Sequence, residues 1–274
     1  MQNQNPFSIY DFLGYLIPGS LTLYILLFVN SSKTHIDVID LTVNNYGIFE
    51  LDRIFLFVIV SYSIGHLINF ISSITIERYA NWKYNYPSKY LMDFNGNFRF
   101  WSGSPKSKSW KVFLMFVVLP ITFWDFVLGE KCGFKTFYTK KTDDYIIELV
   151  KKKGSILMQK IGAPSVKGLK NFDFHRIFSH YAYEYSKNHQ SKLNNYVALY
   201  GFLRSLSAIT ILSFWLLLWH SYKSEMFITE TSCALPILTL ISLISYIFFM
   251  AFMKFYRRYS LEGLMIIAID KELA

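Results

Sequence analysis

The side chains best suited to chemistry fall in two groups, one inside an apolar run and one in a basic stretch. In the uncharged run Ile54 to Ile76, Ser61, Gly65, His66, Asn69, Ser72 and Ser73 fall within one arc of about 140° when successive residues turn by 100°. Such a stripe either packs against other helices, as small and hydroxyl residues do in membranes, or lines a path for water and ions. His66 lies near the middle of the run, and an ionisable group at that depth marks a functional site by default. The second group is Lys140, Lys141, Lys151, Lys152, Lys153, Lys167, Lys170 and Arg176. These cations contact anionic lipid headgroups, form a solvated face, or hold a phosphate-bearing ligand on which nearby Tyr and Trp rings stack. Pattern alone leaves the three readings open.

Catalytic chemistry finds no support. His175 and His180 are five residues apart and do not share a helical face as a metal-binding pair would. Asp143 and Asp144 suit the first turn of a helix, where acidic side chains complement the dipole. No P-loop, GxGxxG, GxSxG or HExxH occurs, so none of the common catalytic or phosphate-binding motifs applies. Cys132 and Cys233 lie far apart with no CxxC neighbour, which suits neither a disulfide framework nor a zinc site. The expectation is no enzyme, no cofactor and no metal.

The elements that carry these residues follow from composition. The chain has 274 residues, 53% hydrophobic, 17% charged, with net charge +9; soluble domains carry about 25% charged residues. Four runs, 12–29, 54–76, 197–219 and 232–253, match the roughly 20 apolar residues needed to cross about 30 Å of hydrocarbon. The third holds one charge, Arg204 near its first end, read as snorkelling to the headgroups. Pro18, Gly19 and Pro236 are candidate kinks. A fifth run, Val112 to Leu128, contains Pro120 and Asp125 and would rise only about 25 Å. It is expected to be an in-plane, re-entrant or buried helix.

Charge sets the expected orientation. Residues 77–196 carry 20 Lys and Arg against 9 Asp and Glu, whereas the 30–53 loop has two basic and four acidic residues. The positive-inside rule then puts the basic segment and the Lys254, Arg257, Arg258 flank in the cytoplasm, with four crossings and both termini inside. The expected fold is an all-α membrane protein: four transmembrane helices with a basic, mainly helical cytoplasmic domain inserted between spans two and three. Its parts are an N-terminal membrane region 1–76, the domain 77–196, a C-terminal membrane region 197–253 and a tail 254–274. Within the domain, 80–110 lacks a helical period and predicts loops and short strands. A helix opening at Thr142–Asp144 is expected to stop near Gly154. Asp173 is expected to cap another, with Phe174, Ile177, Phe178, Tyr181 and Tyr185 as its apolar stripe and Arg176, His180, Glu184 and Lys187 opposite.

The opening Tyr10-Asp11-Phe12-Leu13-Gly14-Tyr15-Leu16-Ile17-Pro18-Gly19, leading straight into a span, resembles the small multi-pass membrane effectors of bacterial anti-phage defence systems. The pairs of spans around a basic insert are similar too, most of all to the membrane component of Hailong systems. The resemblance covers those residues and the layout, and carries over no functional residue. It implies an oligomeric channel of the bacterial inner membrane, shut until infection and gated by a nucleotide or oligonucleotide made by a separately encoded nucleotidyltransferase. The expected partners are the lipid bilayer, further copies of the chain, since four helices cannot enclose a wide pore, and the phosphate-bearing signal. The rival expectations are a non-conducting membrane-anchored sensor or scaffold, and a small transporter, although no inverted repeat is evident.

Overall fold

The structure, a computed structural model, describes residues 11–34, 51–94, 100–101, 103–162, 174–185, 187–223 and 231–273. Lys167, Lys170 and Asp173 lie outside the described residues. Helix α1 opens as a π-helical turn, Phe12–Leu16, and continues as Ile17–Thr34. Helix α2 is Leu51–Ser72, prolonged through a π-helical turn Ser73–Glu77 into Arg78–Tyr84. Shorter helices follow: α3 (Pro87–Leu91), α4 (Pro105–Val117), α5 (Leu119–Trp124, running into π-helical Asp125–Lys131) and α6 (Thr136–Thr139). Then come α7 (Asp144–Lys160), α8 (Phe174–Tyr185), α9 (Lys187–Lys223) and α10 (Thr231–Ile269). Among the described residues there is no strand.

Among the described residues, four helical stretches are long and apolar enough to cross a membrane: Phe12–Val29, Ile54–Leu91 (α2 running into α3), His189–Lys223 and Ala234–Ile269. Three of them run well beyond the apolar stretches read from the sequence. Helix α9 has 37 residues and α10 has 39, so each rises more than about 55 Å, against a hydrocarbon core of about 30 Å. Their ends therefore leave the apolar layer without leaving the helix. The two pack together more extensively than any other pair of elements.

Among the described residues, two large cores form along α10. In the first, Ile76 and Tyr79 of α2, Leu114, Val118 and Ile121 of the α4–α5 region, and Tyr138 surround Tyr246, Phe249 and Phe252 of α10. In the second, Leu264, Ile267 and Ala268 near the end of α10 meet Leu91, Val150, Leu157, Phe174 and Phe178. The basic segment is thus folded around the far end of a membrane-length helix.

The stretch 80–110, expected as loops and short strands, is largely helical where described. Arg78–Tyr84 simply prolongs α2, and Pro87 and Pro105 each stand at the first turn of a helix. Proline is preorganised for that position because its missing N–H is not needed there. Helix α7 does not stop at Gly154. It continues to Lys160 because Leu157 and Met158 are buried in the second core, and it ends where Gly162 takes φ +76°, the left-handed conformation that closes helices. Helices α4 and α5 with its π-helical extension are bent by 91° at Val118, and each half is too short to cross the hydrocarbon alone.

At the α1–α2 crossing the backbones touch. A Cβ on Gly65 would land on the Tyr15 carbonyl, and one on Gly19 on the Ser61 carbonyl. Glycine is required here by space, as at close helix crossings in membranes. Gly65→Leu is expected to cost at least 1–3 kcal/mol, the usual range for overpacking, and to lower the melting temperature of the purified protein in detergent. Ser63→Leu, on the exposed side of the same helix, should leave it unchanged.

Candidate functional site

Arg204 is a charged group buried between α9 and α2. It is 7% exposed, and its guanidinium reaches α2 through three side chains. Nε donates to Ser72 Oγ at 3.1 Å, Nη2 to Asn69 Oδ1 at 2.7 Å, and Nη1 is paired with Glu77. Ser72 Oγ in turn donates to the Asn69 carbonyl at 2.8 Å, which leaves its lone pairs to accept from Arg204. The expectation that Arg204 snorkels is therefore corrected: it is turned inward onto a carboxylate. The π-helical turn Ser73–Glu77 adds a residue to the local turn, a departure frequent at functional sites, between the two hydrogen-bonding residues and the carboxylate.

This clamp distributes the second-span stripe among different tasks. Asn69 and Ser72 hold Arg204. Ser61 and Gly65 are buried against α1, and the Ser61 hydroxyl is buried without a hydrogen-bond partner. Ser73 Oγ donates to the Phe70 carbonyl at 2.7 Å. His66 is exposed on the outside of the bundle. Its ring stacks on Tyr15, with centroids 3.8 Å apart and planes 14° apart, and meets the edge of Tyr62 at 4.7 Å.

A second buried charge was not anticipated as a site. Asp125, at the start of the π-helical extension of α5, is 0% exposed. Tyr79 donates to its Oδ2 at 2.7 Å, while Tyr84 and Tyr138 donate to its Oδ1 at 2.5 and 2.9 Å. Burial first, and then the Asp125 carboxylate, hold the Tyr138 phenol far above its ordinary pKa. Gly129 keeps this space open, since a Cβ there would lie 2.6 Å from Asp125 Oδ1. Next to it Lys83 pairs with Glu130 at 2.6 Å. The bend at Val118 is held by Trp215 of α9, which donates to the Val117 carbonyl at 2.9 Å, and Trp124 donates to Ser242 of α10 at 2.9 Å. The one sequence signal for this site was an aspartate inside an apolar run.

The basic residues do not converge on one point. Lys140 is exposed, and its carbonyl accepts from Arg257 Nε at 3.1 Å. Lys141 donates to Asp144 at 2.9 Å, a bond that raises the pKa of its ammonium group. Lys151 lies over the Phe94 ring at 5.3 Å, Lys152 is exposed, and Lys153 donates to the Asp270 carbonyl. Arg176 lines a separate cleft at the end of α7, together with Lys160 and His180. Tyr181, also in that cleft, donates to Asp270, and burial and that carboxylate raise its pKa. Among the described residues no cluster of His, Cys, Asp and Glu could hold a metal ion.

Comparison with family models, with curated proteins and with solved structures finds no match.

Removing one member of a buried ion pair strands the other and typically costs 3–5 kcal/mol. Arg204→Leu is accordingly expected to destabilise by about 3 kcal/mol, with part of the loss recovered when Glu77→Gln is added, a coupling that a double-mutant thermal-unfolding cycle measures. Asp125→Asn is expected to cost about 1–3 kcal/mol, because an amide cannot accept at both of its former carboxylate positions. A melting curve unchanged by both single substitutions would show that neither site holds the bundle together.

Proposed function

We propose that the chain is one subunit of an oligomeric, ligand-gated membrane pore that acts as an anti-phage defence effector. In this reading the basic segment and both termini face the cytoplasm of a bacterium across its inner membrane, and a phosphate-bearing nucleotide or oligonucleotide binds the basic segment. A separately encoded nucleotidyltransferase supplies that signal. Opening follows if the signal binds the open arrangement better than the shut one, since only differential affinity moves such an equilibrium.

The observation that carries the reading is the Arg204 clamp. Helix α9 is continuous from the apolar layer to the basic segment, and Arg204 ties it to Asn69, Ser72 and Glu77 on α2. A displacement at the Lys187 end of α9 is therefore carried along one continuous helix to the helix that bears the polar stripe. Supporting it, His66 is exposed in mid-span. An ionisable group facing lipid is costly, and a subunit interface or a water-filled path removes that cost.

A non-conducting sensor is the second reading. It is favoured by the stripe residues Ser61, Gly65, Asn69 and Ser72, all of which have partners or close neighbours within the chain.

Reconstitution in liposomes separates the two. Ion flux is expected to appear when one of a panel of short oligonucleotides and cyclic nucleotides is added. His66→Leu is expected to change conductance while the oligomer, sized by light scattering, stays intact. A stable oligomer that is silent with every member of the panel would favour the sensor.

A further inference from the structure

A cleft of about 570 Å³ opens between the end of α7, one side of α8 and the residues following α10. Its walls bring together Lys160 of α7 with Arg176, His180, Tyr181, Glu184 and Tyr185 of α8. On α8, Arg176, His180 and Glu184 recur at every fourth position, so they stand above one another on one ridge, and Ile177, Tyr181 and Tyr185 form the ridge beside it. Positive charge is thus gathered at the start of the helix and aromatic surface at its end. From Arg176 to Tyr185 the helix rises about 14 Å, comparable with the separation of the phosphates from the base in an extended nucleotide.

The aromatic end is preorganised. Tyr181 and Tyr185 are stacked with centroids 4.4 Å apart and planes 22° apart. The inner ring is fixed by its hydroxyl bond to Asp270, while the Tyr185 side of the stack is 61% exposed. Stacking on such a ring accepts any base because every base has a π-face. The carboxylates of Glu184 and Glu272 also border the cleft, which disfavours a bare polyanion and suits a ligand that carries hydrogen-bond donors besides its phosphates.

We infer that this cleft binds a nucleotide, with its phosphates held by Lys160, Arg176 and His180 and its base stacked on Tyr185. The inference rests on the reading of the basic segment as a ligand sensor and names the site within it. A lipid headgroup would offer the same phosphate chemistry, but position argues against it. The cleft adjoins Asp270, and the helix rises about 25 Å from Met253, the last residue of the uncharged run, to that point. Surface attraction to anionic lipids fades within a Debye length, about 8–10 Å. Occupancy would act on the residues that immediately follow α10, since Tyr181 is bonded to Asp270 and Lys160 Nζ donates to the Glu272 carbonyl.

The test uses the full chain in nanodiscs of zwitterionic lipid, titrated by calorimetry with ATP, adenosine and tripolyphosphate. ATP is expected to bind more tightly than either of its parts. Arg176→Ala should weaken both ATP and tripolyphosphate about tenfold or more, the loss expected of a charge-assisted hydrogen bond. Tyr185→Ala should weaken ATP and adenosine and leave tripolyphosphate unchanged. Arg176→Lys, which keeps the charge without the fork, should fall between wild type and Arg176→Ala, and Lys135→Ala, exposed and away from the cleft, should change nothing. The inference is overturned by the absence of saturable ATP binding, by ATP binding indifferent to both Arg176→Ala and Tyr185→Ala, or by displacement of ATP when anionic lipid is added to the discs. Binding is read without flux. Intact binding with no flux removes the pore and spares the cleft; ligand-gated flux unaffected by the Arg176 and Tyr185 substitutions removes the cleft and spares the pore.

Discussion

A guanidinium among apolar helices must have its donors met, and Arg204 meets them only where α2 stands at one height beside α9. Its partners, Asn69, Ser72 and Glu77, are spread over two turns of α2. A slide of one helix past the other by a single residue would take at least one of them out of reach. Apolar side chains tolerate such slides far better, because dispersion and burial are not directional. The position of α1 follows, since its backbone is pressed against Gly65 of the same helix α2. One polar contact thereby fixes the register of three membrane-length helices.

Asp125 does comparable work for the bent pair α4–α5. Its carboxylate gathers hydroxyls from α2 (Tyr79, Tyr84) and α6 (Tyr138), and Trp124 beside it is bonded to α10. The bent pair is joined to both sides of the bundle by directional bonds rather than by apolar packing alone. Both cores then share α10 as their spine, so the basic segment and the membrane-length helices form one connected body along that helix.

Much of this architecture was legible in the sequence, and the limits have physical causes. The apolar runs stand out because crossing hydrocarbon demands nearly unbroken apolarity. The continuations of α9 before residue 197 and of α10 beyond 253 do not, since outside the hydrocarbon a helix needs only one apolar face and charge returns to the other. Pro87 and Pro105 read as loop punctuation although they begin helices, because proline stops a helix from one side and starts it from the other. Gly154 read as a stop although the stop is Gly162, since only burial of Leu157 and Met158 distinguishes them. The polar stripe was visible as a stripe, but the identity of its partners was not. Asn69 and Ser72 meet a residue more than a hundred positions away, and Asp125 is met by tyrosines from two separate stretches, α2 and α6. Such pairings are properties of the folded chain rather than of any window of it.

The long sequence separation between Glu77 and Arg204 also bears on how the protein is made. When α9 emerges from the ribosome, α2 has already been synthesised, with Glu77, Asn69 and Ser72 in place. A helix carrying an arginine partitions into lipid at a cost of about 2.5–3.5 kcal/mol when that residue sits at its centre and less toward its ends. A carboxylate and two neutral acceptors waiting at the matching depth reduce that cost. If the spans insert in chain order, the first helical hairpin offers Arg204 its acceptors as the second one enters, so the order of translation is also an order in which this buried charge can be neutralised.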